Sequence, residues 1–210
     1  MTYSVKEIYK TIQGEGGQSG RSAVLCRFTG CNLWSGRQKD RASAICQFCD
    51  TDFVGTNGLG GGHFADPRAL ATEISHTWGI SMKYRLVVFT GGEPLMQINK
   101  ILLQCVRDKG FEIAIETNGT YKVPDDVDWI CVSPKAGSKL VQTNGQELKL
   151  VFPQNGAMPK MFEHLNFKQF YLQPMAGPYL KRNIELAVAY CMRNPLWRIS
   201  LQIHKIIGIS

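Results

Sequence analysis

The chain has 210 residues, enough for one domain with a sizeable core. Hydrophobic residues make up 44% and charged residues 20%, which excludes a disordered chain, and no apolar run approaches the roughly 18 residues of a membrane span. The net charge of +7 is scattered, with no basic stripe or reading module of a nucleic-acid binder. The excess suits an anionic small substrate or an acidic redox partner. Residues 1–7 carry no apolar segment that would act as a secretion signal, so a cytoplasmic protein is expected.

In chain order, Ala23–Phe28 reads as the first strand. A polar loop follows, and it holds three of the seven cysteines, Cys31, Cys46 and Cys49. The other four (Cys26, Cys105, Cys131 and Cys191) sit inside apolar patterns and read as small core residues. An odd number of thiols in a chain without a secretion signal argues against a disulfide framework. Residues 55–62 are glycine-rich but lack the Gly-Lys-Ser/Thr ending of a phosphate loop, so a flexible loop is expected there.

Asp66-Pro67 pairs a capping acceptor with a first-turn proline, predicting a helix to about Trp78 with Gly79 at its exit. Leu86–Phe89 reads as a buried strand. A helix is expected from about Leu95 to Lys109, ended by Gly110. Further strands are expected at Phe111–Ile115, Trp129–Val132, Leu148–Phe152 and Gln169–Leu172, and a last helix at Tyr179–Cys191.

Short apolar strands alternating with helix-length segments predict an α/β fold with a parallel sheet. About six βα units suit a single-domain partial barrel over residues 1–210 better than a closed eightfold one, which takes about 250 residues. Four polar segments, 90–93, 116–119, 133–135 and 173–175, each directly follow a strand. In parallel α/β folds that C-terminal rim carries the chemistry.

The cysteine spacing C-x14-C-x2-C is open to two readings. With a histidine such as His63 as fourth ligand it would hold zinc. Without one, three thiolates suit a four-iron cluster that keeps one iron open.

Phe48 before the last cysteine, and Gly91-Gly92-Glu93-Pro94 after a later strand, make the chain resemble the radical S-adenosylmethionine (SAM) superfamily. That superfamily's usual cysteine loop is C-x3-C-x-aromatic-C. Here Ser35 stands where the second cysteine would be, and the charged stretch 35–45 must bulge outward for Cys46 to replace it. The resemblance implies a 4Fe-4S cluster on Cys31, Cys46 and Cys49, with SAM chelated to the open iron. Glycines in the Gly-Gly-Glu-Pro turn would let backbone carbonyls approach the SAM ammonium, and Glu93 would face that cation.

Residues 8–16 (Ile-Tyr-Lys-Thr-Ile-Gln-Gly-Glu-Gly) and 27–33 (Arg-Phe-Thr-Gly-Cys-Asn-Leu) narrow the resemblance to the 7-carboxy-7-deazaguanine synthase family, with Glu116-Thr117-Asn118-Gly119, Ser133-Pro134-Lys135, Leu172–Met175 and Leu201–Lys205 continuing it. The match spans essentially the whole chain. It implies conversion of 6-carboxy-5,6,7,8-tetrahydropterin to 7-carboxy-7-deazaguanine with loss of ammonia, begun by hydrogen abstraction by the 5′-deoxyadenosyl radical. It further implies SAM contacts from Phe48, Cys49, Asp50, Gly92, Glu93, Ser133, Pro134, Lys135, Gln173, Pro174, Met175 and Ala176. Pterin contacts would come from Ile12, Gln13, Gly14, Glu15, Arg27, Thr90, Glu116, His204 and Ser210, and a Mg²⁺ contact from Thr51. A homodimer and a flavodoxin or ferredoxin electron donor are expected on the same ground. Competing readings are a glycyl-radical-enzyme activating protein, which would show the short cysteine spacing and lack the Gln-Gly-Glu-Gly segment, and a zinc-dependent nucleic-acid-binding module.

Overall fold

The structure, a computed structural model, describes residues 2–209. Among these residues the strands are β1 (Tyr3–Ile12), β2 (Ser22–Phe28), β3 (Gly62–Phe64), β4 (Leu86–Gly91), β5 (Glu112–Thr117), β6 (Trp129–Val132), β7 (Asn144–Phe152), β8 (Asn166–Pro174) and β9 (Trp197–Ile199). They form one sheet in the order β3-β1-β2-β4-β5-β6-β7-β8-β9. From β2 to β9 every neighbouring pair is parallel, whereas β1 runs antiparallel to both β2 and β3. β3 and β9 are edges, so the sheet stays open, as a partial barrel does.

All six expected strands are present. The additions are β1, β3 and β9. β1 escapes a period-two reading because a bulge between Val5 and Glu7 shifts its register against β2. β3 and β9 are three residues each.

Helix α1 (Pro67–Trp78) starts as its sequence requires: Asp66 accepts a hydrogen bond from the Ala69 N–H at 2.9 Å, Pro67 takes the first turn, and Gly79 ends it. Leu70, Ile74 and Trp78 recur every four residues and bury one face against the sheet. Helix α2 (Lys100–Arg107) begins later than Leu95. Pro94–Met96 form a 3-10 turn, and the Asn99 side chain caps the helix through the Leu102 N–H at 2.9 Å. Helix α3 (Leu180–Arg193) matches expectation, but it is followed by α4 (Ile203–Ile207), so it is not the last helix. Between β5 and β8 the crossovers are irregular segments and one 3-10 turn rather than helices.

Side-chain alternation divides the sheet into two faces. Val87, Phe89, Ile113 and Ile115 pack outward with Leu70, Ile74, Leu102 and Leu103 of α1 and α2. Leu148, Leu150, Phe152, Phe170 and Leu172 form a second outer core with Ala187 of α3 and Trp197. Each such residue, fully buried, contributes about 1.5–3 kcal/mol. The alternate positions, among them Thr90, Glu116, Glu147, Lys149 and Gln173, give the concave face its polarity.

The turn joining β1 to β2 reaches across that face. The Gly17 N–H donates to Glu147 Oε2 at 2.6 Å and the Gly16 N–H to Ser200 Oγ at 2.9 Å. The glycine-rich loop lies along β1, with the Gly58 N–H donating to the Lys6 carbonyl at 3.0 Å and the Ile8 N–H to the Leu59 carbonyl at 2.7 Å. No helix among the described residues is long and apolar enough to cross a membrane.

Candidate active site

β2 and β4 are parallel neighbours, so their C-terminal ends deliver Cys31 and the Gly-Gly-Glu-Pro turn side by side. Backbone bonds from Gly92 N–H to the Phe28 carbonyl (3.3 Å) and from Glu93 N–H to the Gly30 carbonyl (2.9 Å) stitch the two together. The approach leaves no room for side chains. Gly91 adopts φ 146°, and a Cβ on Gly92 would run into the Gly30 carbonyl and stand 2.8 Å from Cys31 Cβ. Gly92→Ala is therefore expected to push the Cys31 turn away from β4, costing about 1–3 kcal/mol as overpacking does. Calorimetric unfolding should show the loss of stability, and an unchanged melting temperature would refute the close approach.

Glu93 corrects an expectation. It is 0% exposed, and its oxygens accept from the Leu95 N–H (3.1 Å), the Thr117 hydroxyl (2.8 Å) and the Asn118 N–H (2.8 Å). It is not among the residues that line the cavity. Its carboxylate ties the loop after β4 to the loop after β5, and burial pushes its pKa up despite those bonds. Pro134 likewise turns aside, its carbonyl accepting from Gln154 Nε2 at 3.3 Å.

The charged stretch 35–45 folds outward. Ser35 donates to Asp40 at 2.6 Å, Gln38–Ser43 make an exposed 3-10 turn, and the Ile45 and Cys46 N–H groups return to the Leu33 carbonyl. Arg41 staples this excursion to the second half of the loop. Its guanidinium lies 4.0 Å from the Trp34 ring centroid and donates to the carbonyls of Gln47 (2.8 Å) and Cys49 (3.1 Å). Cys46 is thereby brought back beside Cys31, and all three cysteines line one cavity with Gly92 and Lys135.

A hydrogen bond from the Cys46 thiol holds Cys49 down at about 6, against the effect of burial, and the same shared proton pushes Cys46 up. Thiolate is the form that ligates metal. Among the described residues no three cysteine, histidine or acidic side chains converge on one metal-ion position; three cysteines spread around one cavity fit a larger cluster with an open side. His63 does not join them: it pairs at the sheet edge with Ser4, 3.1 Å away, so the zinc site suggested by spacing lacks that fourth ligand.

The first cavity, about 930 Å³ with its open mouth, is also lined by Phe48, Asp50, Ser133, Gln173, Pro174, Met175 and Ala176. Lys135 donates to the Ser133 carbonyl and hydroxyl at 2.7 and 2.6 Å, and burial lowers its pKa. A second cavity of about 1010 Å³ adjoins it, lined by Ile12, Gln13, Gly14, Glu15, Arg27, Thr90, Glu116 and His204. Thr51, Asp50, Glu15, Glu116, Thr90, Gln173 and Gln202 border both.

In the second cavity Arg27 Nε donates to Glu7 at 2.7 Å. Gln13 Nε2 donates to Glu116 at 3.1 Å, and Gln202 Nε2 to Glu15 at 2.8 Å. The backbone of Gly14 lies hard against the imidazole of His204, where a Cβ would collide, and its carbonyl accepts from the Ile203 N–H at 3.0 Å. Burial lowers the His204 pKa, favouring the neutral ring. Lys205 of α4 reaches Asp50 at 3.0 Å, linking that helix to the cysteine loop. Ser210 lies outside the described residues.

Sequence reasoning missed Lys149 and Gln202. The signal for Lys149 was the alternation in β7, where Leu148, Leu150 and Phe152 take the outer face and leave Glu147 and Lys149 to the concave one.

A partial βα barrel that gathers three cysteines and a Gly-Gly-Glu-Pro turn at its C-terminal rim is the arrangement of a radical SAM enzyme. No protein-family model matches the chain. It is 59% identical over 209 residues to the 7-carboxy-7-deazaguanine synthases of Caulobacter vibrioides and Bordetella pertussis, with 100% of both chains covered in each case. The crystal structure of QueE from Escherichia coli shares the fold, with a TM-score of 0.74 at 24% identity, covering 96% of this chain and 94% of that one. The chain belongs to the 7-carboxy-7-deazaguanine synthase family, and that membership implies SAM and an iron–sulfur cluster as cofactors.

Proposed function

We propose that the protein converts 6-carboxy-5,6,7,8-tetrahydropterin to 7-carboxy-7-deazaguanine, for queuosine or another deazapurine. The observation that carries this reading is the pair of adjoining cavities, cysteines in one and the Gln13, Glu15, Arg27 and Glu116 set in the other. When bound, a 4Fe-4S cluster on Cys31, Cys46 and Cys49 and SAM on its open iron supply a 5′-deoxyadenosyl radical that takes a hydrogen atom from the substrate.

The chain's own residues do the holding. Lys135 and Ser133 offer a cation and a hydroxyl to SAM, while residues 173–176 line the cavity beside them. In the second cavity, Glu15 and Glu116 present acceptors to a pterin's N–H edge, Gln13 holds Glu116 through its amide N–H, and Arg27 presents a cation to the pterin carboxylate. Closure by the segment around Gln202 and His204 keeps water from the radical step. A homodimer and a flavodoxin or ferredoxin donor complete the proposal.

The test is anaerobic reconstitution followed by mass spectrometry after incubation with SAM, reductant and the carboxylated tetrahydropterin. Formation of 7-carboxy-7-deazaguanine supports the reading, and 5′-deoxyadenosine without any deazapurine overturns it. Mg²⁺ at Thr51, bound through one hydroxyl with substrate and water completing the shell, has its own expected result. Turnover should fall several-fold in metal-free buffer and recover with Mg²⁺, and Thr51→Ala should raise the Mg²⁺ concentration needed for recovery. Activity indifferent to chelation removes the metal from the proposal.

A further inference from the structure

A buried cation lines the first cavity, behind two acids that border both. Lys149 projects from β7 with its side chain 5% exposed, and its ammonium contacts Glu15 Oε2 at 2.5 Å and Glu116 Oε1 at 3.1 Å. The two carboxylates come from opposite parts of the chain, Glu15 from the β1–β2 turn and Glu116 from the end of β5. We infer that Lys149 is a positioning residue for substrate recognition: it holds Glu15 and Glu116 together as anions, so that the pair presents only acceptors to the ligand. This inference rests on the pterin reading and deepens it.

The physical argument runs from charge. Two carboxylates this close repel, and in a buried site one would take up a proton to relieve the repulsion. A protonated carboxyl donates a hydrogen bond as well as accepting one, so it tolerates a ligand edge with a carbonyl where an N–H should be. Lys149 removes that option. It engages one oxygen of each acid, which directs Glu15 Oε1 and Glu116 Oε2 elsewhere. Oε1 of Glu15 accepts from Gln202 at 2.8 Å, and Oε2 of Glu116 has only a long 3.4 Å contact from Thr90. Each carboxylate oxygen keeps accepting capacity for N–H donors such as the amino-pyrimidinone edge of a pterin.

The groups facing Glu15 come from several elements: Lys149 on β7, Glu116 on β5, Gln173 on β8, and Gln202 and His204. Burial works to raise the Glu15 pKa, but Lys149 and the flanking amides outweigh it and hold Glu15 at about 2. Burial also opposes the Lys149 charge, yet Glu116 and Glu15, with Cys131 and Glu147 behind them, push it well above the ordinary lysine value. With the ammonium removed, burial is opposed only by the hydrogen bonds from Gln202 and Gln173.

The experiment compares unsubstituted holoenzyme with Lys149→Met and Lys149→Arg, each labelled with carbon-13 at the glutamate carboxyls. The Glu15 signal is assigned as the one absent from Glu15→Gln. In Lys149→Met the Glu15 carboxyl should titrate above the ordinary glutamate value of about 4.3. The KM for the carboxylated tetrahydropterin should rise about tenfold or more near pH 6 and fall back at higher pH as Glu15 ionises, with kcat changing less. Lys149→Arg keeps the charge and should leave Glu15 low. An unmoved Glu15 titration in Lys149→Met, or an unmoved KM, overturns the inference.

Should Lys149→Met fail to fold, the double variant Glu15→Gln with Lys149→Met removes both charges. Its KM should be no worse than that of Glu15→Gln alone, and a clearly higher KM in the double variant overturns the coupling. If the unsubstituted enzyme does not turn over the pterin, the proposed function falls, while the carbon-13 titration still decides whether Lys149 holds Glu15 ionised.

Discussion

Cys46→Ala protein, reconstituted anaerobically with iron and sulfide, is expected to lose the four-iron absorption band and all cleavage of SAM. The reason lies in the loop's construction. Cys46 is 5% exposed and anchored through its own N–H to the Leu33 carbonyl, so no neighbouring thiol is positioned to substitute for it. The four other cysteines belong elsewhere. Cys26 is fully buried on the outer face of β2, and burial pushes its thiol far from ionisation. Cys131 is buried beside Glu147 and its pKa is pushed up strongly. Cys105 packs on the first core and Cys191 on the second. Alanine at any one of these four should leave cluster content unchanged. A full complement of iron in Cys46→Ala would mean that the ligand set is wrong.

Arg27→Ala is the second large effect. Arg27 lines the second cavity with its side chain 17% exposed and is ion-paired to Glu7 at 2.7 Å. The Glu7 contact fixes the guanidinium by one edge, and a substrate carboxylate is then met by a cation already oriented. Truncating one partner of a largely buried charge pair costs about 2–5 kcal/mol, so kcat/KM for the pterin should fall ~30-fold or more. Arg27→Lys restores charge without the planar fork and should recover only part. Glu7→Gln is the control: it removes the holding carboxylate but not the cation, so its KM should rise less than that of Arg27→Ala. Equal losses from all three variants would assign Arg27 to the fold rather than to the substrate.

The outer cores were the legible part of this molecule. Val87, Phe89, Ile113, Ile115, Leu148 and Leu150 sit in short apolar runs, and burial against helices is what such runs require. The Asp66-Pro67 start and Gly79 stop of α1 were equally plain, because capping chemistry is local. β1 was obscured by its bulge, and α4 is five residues long, too short for a helical period to repeat. At the site, residues grouped in short segments were found, and the structure brings Gln13, Glu15, Arg27, Glu116 and His204 around one cavity. The burial of Glu93 was not legible, because an acid in such a turn looks the same whether it faces a cavity or its own backbone. Lys149 was passed over because a lysine among leucines reads as one strand edge in water. Only the β1–β2 turn, laid across the concave face with Glu15 on Lys149, covers that side.

The bond from Gln202 to Glu15 joins residues 187 apart in sequence, and that from the Gly16 N–H to Ser200 joins residues 184 apart. Most hydrogen bonds that fold residues 35–49 back, by contrast, stay within residues 31–51, although Asn32 also reaches Thr120 and Asp50 reaches Lys205. Closing a ring of nearly the whole chain takes more conformational entropy than closing a short one, and such contacts form late. During synthesis, the bonds internal to the cysteine loop have their partners soon after residue 51 emerges, whereas the floor beneath Glu15 waits for the final dozen residues. The two halves of the site are thus separated in time. A chain stalled or clipped before Gln202 would carry the Arg41-stapled loop beside an unfinished second cavity, without the link from Lys205 to Asp50.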